Sequence, residues 1–147
     1  MARGMEVRGQ CDLEAVMQDI QAAIDDVALA GRTAVVGYCW GGQLAWRAAH
    51  APEGLSAAVM YYGGGVDGLG DLTPRCPVLG HFGAHDAHIP VDRVLPLQTR
   101  HAQLVDIHVY QADHGFNCDA RASYDAAAAQ LALQRTLAFL DQRLNQD

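Results

Sequence analysis

Thr33-Ala34-Val35-Val36-Gly37-Tyr38-Cys39-Trp40-Gly41-Gly42-Gln43-Leu44-Ala45-Trp46 is the stretch on which the reading of this chain turns. Its first four residues are short, apolar and partly β-branched, which suits a strand buried on both faces. The residues from Gln43 onward are good helix formers. Between them, Gly37-Tyr38-Cys39-Trp40-Gly41 is a G-x-C-x-G turn from strand to helix, the nucleophile elbow that lifts one side chain above a sheet. Both flanking glycines are expected where neighbouring backbone passes too close for a Cβ. Cys39 falls at a helix N-terminus, where free N–H groups and the helix dipole favour a thiolate.

Outward from the elbow, the pattern alternates. Asp12 is predicted to cap a helix in which Leu13, Val16, Met17, Ile20, Ile24 and Val27 recur with helical period, and Gly31 to stop it. The helix after the elbow should end near Ala51-Pro52-Glu53-Gly54. Residues 55–62 read as a second strand running into Gly63-Gly64-Gly65, and residues 77–83 as a third, followed by a loop to Pro90. Residues 91–101 carry Pro96, which predicts a short, kinked or partly irregular helix. Val105–Tyr110 alternates and reads as a fourth strand at an edge, with one wetter face. A loop from Gln111 to Arg121 leads to an alanine-rich helix over 123–144, with Leu133, Leu137, Leu140 and Leu144 on one stripe. The expected fold class is α/β: a parallel sheet of about four strands with helices on both faces.

Composition bounds the function. The chain of 147 residues reads as one domain, 1–147, with 50% hydrophobic and 18% charged residues, as in a soluble globular protein. A formal net charge of -7 without a basic stripe argues against a nucleic-acid partner. No apolar run approaches the ~20 residues of a membrane span. The N-terminal residues show no signal-peptide apolar region, so a cytoplasmic location is expected. Cys11, Cys39, Cys76 and Cys118 have no CxxC spacing and read as free thiols. Of the four, only Cys39 has a local setting that suggests chemistry.

Reactive loops of a parallel sheet gather beyond the strands' carboxyl ends. Cys39, Asp86 and His114 each follow a predicted strand and should meet in one crevice. His114 would take the Cys39 proton or pair with the thiolate, and Asp86 would hold the imidazole tautomer. The backbone N–H of Trp40 would be one oxyanion donor. Asp67, Asp71 and Asp92 are alternative acids, and His81, His85, His88 and His108 alternative histidines. Tyr38, Trp40 and Phe116 are expected as pocket walls. His81, His85, His88 and Asp86 raise a metal-site alternative, but their positions in strand and loop need not converge, and no H-E-x-x-H or cysteine-rich pattern exists. The expected chemistry needs no cofactor and no metal.

Three motifs in order sharpen this reading. Gly37-Tyr38-Cys39-Trp40-Gly41-Gly42, then His81-Phe82-Gly83-Ala84-His85-Asp86 with Ile89-Pro90, then Ala112-Asp113-His114-Gly115-Phe116 resemble the dienelactone hydrolase (carboxymethylenebutenolidase) family from about Leu13 onward. The resemblance implies an α/β-hydrolase fold whose nucleophile, acid and histidine match Cys39, Asp86 and His114. It implies hydrolysis of a dienelactone to maleylacetate in chloroaromatic degradation, through a thioester. Members of that family are usually longer at the N-terminus. There they carry the first strands, a second oxyanion donor, a glutamate that holds the resting cysteine and an arginine for the substrate carboxylate. The family pattern also has a carboxylate-binding arginine four residues after the histidine, where this chain has Cys118; Arg121 is the nearby cation. The domain is therefore expected to be incomplete at its N-terminus, leaving an apolar strand edge that predicts a homodimer. The alternative is a weak or inactive truncated homologue, or half of a split enzyme serving as an interaction module.

Overall fold

The computed structural model describes residues 2–145. Four parallel strands, β1 (Thr33–Tyr38), β2 (Leu55–Tyr61), β3 (Val78–Gly83) and β4 (Val105–Tyr110), lie side by side in chain order. The helices are α1 (Ala2–Gln10), α2 (Leu13–Ala28), α3 (Trp40–His50), α4 (Val91–Arg100) and α5 (Ala126–Leu144), with a 3₁₀ turn at Val66–Leu69. Each strand is followed by a connection that returns the chain to the same end of the sheet, so all four carboxyl ends share one rim. Pairing is in register across that rim: Tyr38 opposite Tyr61, Tyr61 opposite His81, and His81 opposite His108. Among the described residues, no helix is long and apolar enough to cross a membrane.

Local chemistry explains most boundaries. Asp12 caps α2 by accepting from the Glu14 N–H, and Asp125 caps α5 by accepting from the Ala128 N–H. β2 and β3 form the centre, with every residue of β3 buried; β4 alternates between buried and exposed, as an edge strand with one wet face does. α4 is a 10-residue helix that runs continuously through Pro96. Pro96 lies on the exposed face of α4, so the carbonyl that loses its N–H partner can be solvated.

One helix goes unannounced by the sequence pattern, and one expectation fails. Residues 2–10, which carry no helical apolar period, form α1; the Arg8 guanidinium lies 5.6 Å from the centre of the Trp40 ring. The leucine stripe of α5 is not its buried face: Leu133 and Leu137 are 50% and 58% exposed, while Ala128, Ala129, Ala132 and Thr136 face the core. Small residues are required there because large side chains rise from the sheet to meet the helix. The Tyr61 hydroxyl and Thr136 Oγ1 are 2.7 Å apart, and His81 bridges Thr136 Oγ1 (3.0 Å) and the Tyr110 hydroxyl (2.8 Å).

This network buries His81 completely, and the cost of charging it there holds its pKa down to about 3, with His108 and Arg135 adding to the effect. The unfolded imidazole keeps a pKa of about 6.5. Above that value both states are neutral and the contribution is fully present; as pH falls toward 3, only the unfolded chain takes up the proton, so stability is lost. We expect the unfolding free energy from urea titrations to fall between pH 6.5 and pH 4 by up to ~1.4 kcal/mol per pH unit. His81→Gln should flatten that slope, measured as the change in that free energy with pH. An unchanged slope would mean that other groups govern the acid limb.

Candidate active site

Cys39 occupies the elbow with φ +55°, a left-handed conformation rare outside glycine and diagnostic of a sharp turn under constraint. The strain is held by backbone on both sides. The Cys39 N–H donates to the Tyr61 carbonyl at 3.0 Å, and the Gly42 N–H donates to the Cys39 carbonyl at 3.0 Å. A Cβ on Gly37 would collide with the Gly41 carbonyl, so the first elbow glycine is required as expected. The second is not: a Cβ on Gly41 would meet nothing within 4 Å. The close approach falls one residue later, where Gly42 packs against Gly63 at the end of β2 and a Cβ would lie 2.9 Å from the Gly63 Cα. Cys39 itself is half-buried.

Asp86 and His114 form a tight pair. His114 Nδ1 and Asp86 Oδ2 are 2.7 Å apart, with the carboxylate side chain fully buried and the imidazole 19% exposed. Oδ1 of Asp86 accepts from the His88 and Ile89 N–H groups at 2.8 and 3.1 Å, so the carboxylate has a fixed orientation before it meets the imidazole. The alternative acids lie elsewhere: Asp71 pairs with Arg100 at 2.8 Å, and Asp67 is 4.0 Å from Arg93.

Among the described residues the His114 ring hydrogen-bonds to Asp86 and not to Cys39. Adjacent strands are ~4.8 Å apart, so β4 lies roughly 14 Å across the sheet from β1. The loop after β4 folds back over the rim, with Gly115 at φ +77°, and sets the His114 ring 5.2 Å from the ring of Tyr62, which follows β2. Ser123 Oγ donates to the His114 carbonyl at 2.8 Å and ties this loop to the start of α5. Sequence reading did not single out Ser123 in this role, since an isolated serine in a loop carries no pattern. Tyr62 was read as the last residue of a strand; instead it is the second non-glycine residue with positive φ among those described, at +38°.

The remaining expected residues divide. The Trp40 N–H is the first of α3, whose opening N–H groups have no intrahelical acceptor, and it adjoins the thiol. Tyr38 is 47% exposed and stacks on Tyr61 with ring centres 4.7 Å apart. Phe116, expected as a pocket wall, is fully buried: it backs the Tyr62 ring at 5.4 Å and presents no surface to a substrate. The Arg121 guanidinium lies against Gly115, the residue after His114. His81 is sealed in the network below, while His85 and His88 are exposed, so the three histidines diverge. Among the described residues no cluster of three or more His, Cys, Asp or Glu groups is placed to hold a metal ion. Cys11, Cys39, Cys76 and Cys118 are free thiols, and burial pushes Cys76 up to about 11. A groove of 520 Å3 is lined by Tyr38, Tyr61, Asn117, Tyr124 and Leu133 among others, and neither Cys39 nor His114 lines it.

Comparison with known proteins gives the family of the chain. The family model described as "Dienelactone hydrolase family" matches residues 2–144. The carboxymethylenebutenolidase of Pseudomonas putida is 36% identical over 138 residues, covering 88% of this chain and 58% of that protein. A Yersinia pestis relative, provisionally named a carboxymethylenebutenolidase, is 39% identical over 126 residues, covering 76% of this chain and 47% of its own length. The chain thus spans about half the length of the curated relatives it matches. A solved structure from Klebsiella pneumoniae, provisionally titled a dienelactone hydrolase, superposes with a TM-score of 0.76 at 36% identity, covering 86% of this chain and 60% of that one.

Proposed function

The chain belongs to the dienelactone hydrolase family, and from that premise we propose that it hydrolyses a small lactone or ester with Cys39 as nucleophile, His114 as base and then acid, and Asp86 as the group that orients His114. The observation that supports the proposal is the buried Asp86 carboxylate bonded at 2.7 Å to His114 Nδ1, which leaves the other ring nitrogen without a protein partner among the described residues. In this reading His114 Nε2 takes the thiol proton and the sulfur adds to the carbonyl carbon. The C=O electron pair moves to oxygen, facing the Trp40 N–H. Collapse of that intermediate breaks the bond to the leaving oxygen, which takes the proton from His114. Water, deprotonated by the same imidazole, then cleaves the thioester and releases the acid and the thiol. Asp86 stabilises the imidazolium formed in both halves.

For substrate, the proposal is a dienelactone-like compound yielding maleylacetate, the substrate class that the carboxymethylenebutenolidase name denotes. Arg121, beside Gly115 and His114, supplies a cation for its carboxylate, and Tyr38 a wall of the groove. Phe116 serves by holding Tyr62 in place. The test is trapping: incubation with p-nitrophenyl acetate should release p-nitrophenol and add one acetyl group to a peptide containing Cys39, detected by mass spectrometry. Acetylation elsewhere, or none, rejects the mechanism.

A second reading rests on the free edge of β1. That strand carries no charge and no proline, and Val36 and Tyr38 are exposed on it. Natural edges are usually blunted by such residues, so this one is suited to pair with another strand. We propose a homodimer through β1, for which a dimer mass in size-exclusion chromatography is the signature and a stable monomer the contrary result.

A further inference from the structure

Tyr62 is the residue the proposed chemistry has not yet used, and several observations converge on it. Its φ of +38° is strained for an aromatic side chain, and the other non-glycine residue with positive φ among those described is the nucleophile itself. The strain is held: the Tyr62 N–H donates to the His81 carbonyl at 2.7 Å, and the following Gly63 is wedged against Gly42 of the elbow turn. The ring is packed on several sides, by Phe116 at 5.4 Å, Tyr61 at 6.1 Å, Tyr38 at 6.3 Å and His114 at 5.2 Å.

The hydroxyl at the end of that ring makes no hydrogen bond to the protein among the described residues. It is not sealed in either, since among the described residues the buried polar atoms that lack partners are Arg47 Nε and Arg143 Nε. A tyrosine that is 4% exposed, with a rigid ring and an open, unpartnered hydroxyl, is built to offer that hydroxyl to something outside the chain. Its surroundings identify the site. Burial raises the pKa of the phenol, with Cys118, Tyr38 and Cys39 adding to the rise and Arg121 opposing it, so the group is a protonated donor at neutral pH and lies within electrostatic reach of the nucleophile.

We infer that the Tyr62 hydroxyl is a catalytic donor on the leaving-group side of the crevice, giving a hydrogen bond to the substrate oxygen that His114 protonates. The placement follows from adjacency: the Tyr62 and His114 rings are neighbours on the rim, and the oxygen that departs is the one the imidazole faces. The bond strengthens as that oxygen gains negative charge, which is when it accelerates the reaction. No proton leaves Tyr62; the proton that the departing oxygen takes comes from His114. This inference rests on the hydrolase reading above.

The test compares wild type, Tyr62→Phe and Cys39→Ala on two acetates, phenyl acetate and p-nitrophenyl acetate. p-Nitrophenoxide departs without help, whereas phenoxide needs its charge relieved. Tyr62→Phe should slow phenyl acetate hydrolysis about 10-fold or more and p-nitrophenyl acetate less than about threefold, mostly in kcat. Its melting temperature and the rate at which iodoacetamide alkylates Cys39 should match wild type, because the hydroxyl supports neither the fold nor the thiolate. Equal losses on both esters, no loss on either, or slowed alkylation would each overturn the assignment. If Cys39→Ala hydrolyses as fast as wild type, the cysteine mechanism fails first and this inference with it.

Discussion

Replacing Cys39 by alanine is expected to lower ester turnover on the order of 10⁴-fold or more while leaving the melting temperature within about 1–2 °C of wild type. The thiol is half-buried at the rim, its backbone is anchored through the N–H and carbonyl, and alanine carries the same Cβ into the same positive φ. The sulfur packs only against the margin of the core, whereas the proposed reaction has no other nucleophile. Steady-state hydrolysis of p-nitrophenyl acetate beside a thermal melt decides the matter. Comparable rates in the two proteins would assign whatever activity exists to surface chemistry rather than to the elbow. The absolute wild-type rate carries separate information. Losing one oxyanion donor costs about 10²–10³ in related sites, so that rate reports how many donors face the carbonyl oxygen.

Replacing Gly37 by alanine is expected to be the most damaging single-methyl change in the molecule. The added Cβ would run into the Gly41 carbonyl and lie 2.8 Å from the Gly42 N, and these are backbone atoms of the turn, not the ends of flexible side chains. Relief would require the elbow to open, breaking the Cys39 and Gly42 hydrogen bonds together. We expect a loss of about 3–5 kcal/mol, roughly 10 °C or more in melting temperature, or failure to accumulate folded protein at all. Gly41→Ala is the matched control: its Cβ meets open space in the first turn of α3, and alanine there should be neutral or stabilising by up to about 1 kcal/mol. Similar melting temperatures for the two variants would show that the turn is softer than its contacts imply.

The contrast between these glycines marks how far the sequence could be read. All four strands were legible because β-branched and apolar runs stand between glycine and proline breaks, and their parallel sense follows from alternation with helices. The Asp86–His114 pairing was legible because each residue follows a strand of a parallel sheet, where loops converge. What escaped were contacts between distant segments. Gly41 and Gly42 look alike in sequence, and only the approach of Gly63 from β2 tells which one is pinned. The buried face of α5 was hidden because its leucines advertise the wrong side: Tyr61 and His81 reach up to Thr136, so small residues must face the sheet there. Phe116 was misplaced for the same reason, since a motif neighbour of the histidine need not share its exposure. α1 had no apolar period to reveal it.

The returning loop that carries His114 sets one last property of the molecule. The nucleophile belongs to the first strand and the imidazole to the segment beyond the last, and the latter is moored by Asp86, by the ring of Tyr62 and by one serine hydroxyl. Phe116, two residues on, is sunk in the core, and the His85 N–H donates to the Ala112 carbonyl at 3.0 Å, so the segment is fastened from below as well as at the rim. Activity and circular dichroism should therefore be lost together as denaturant is added.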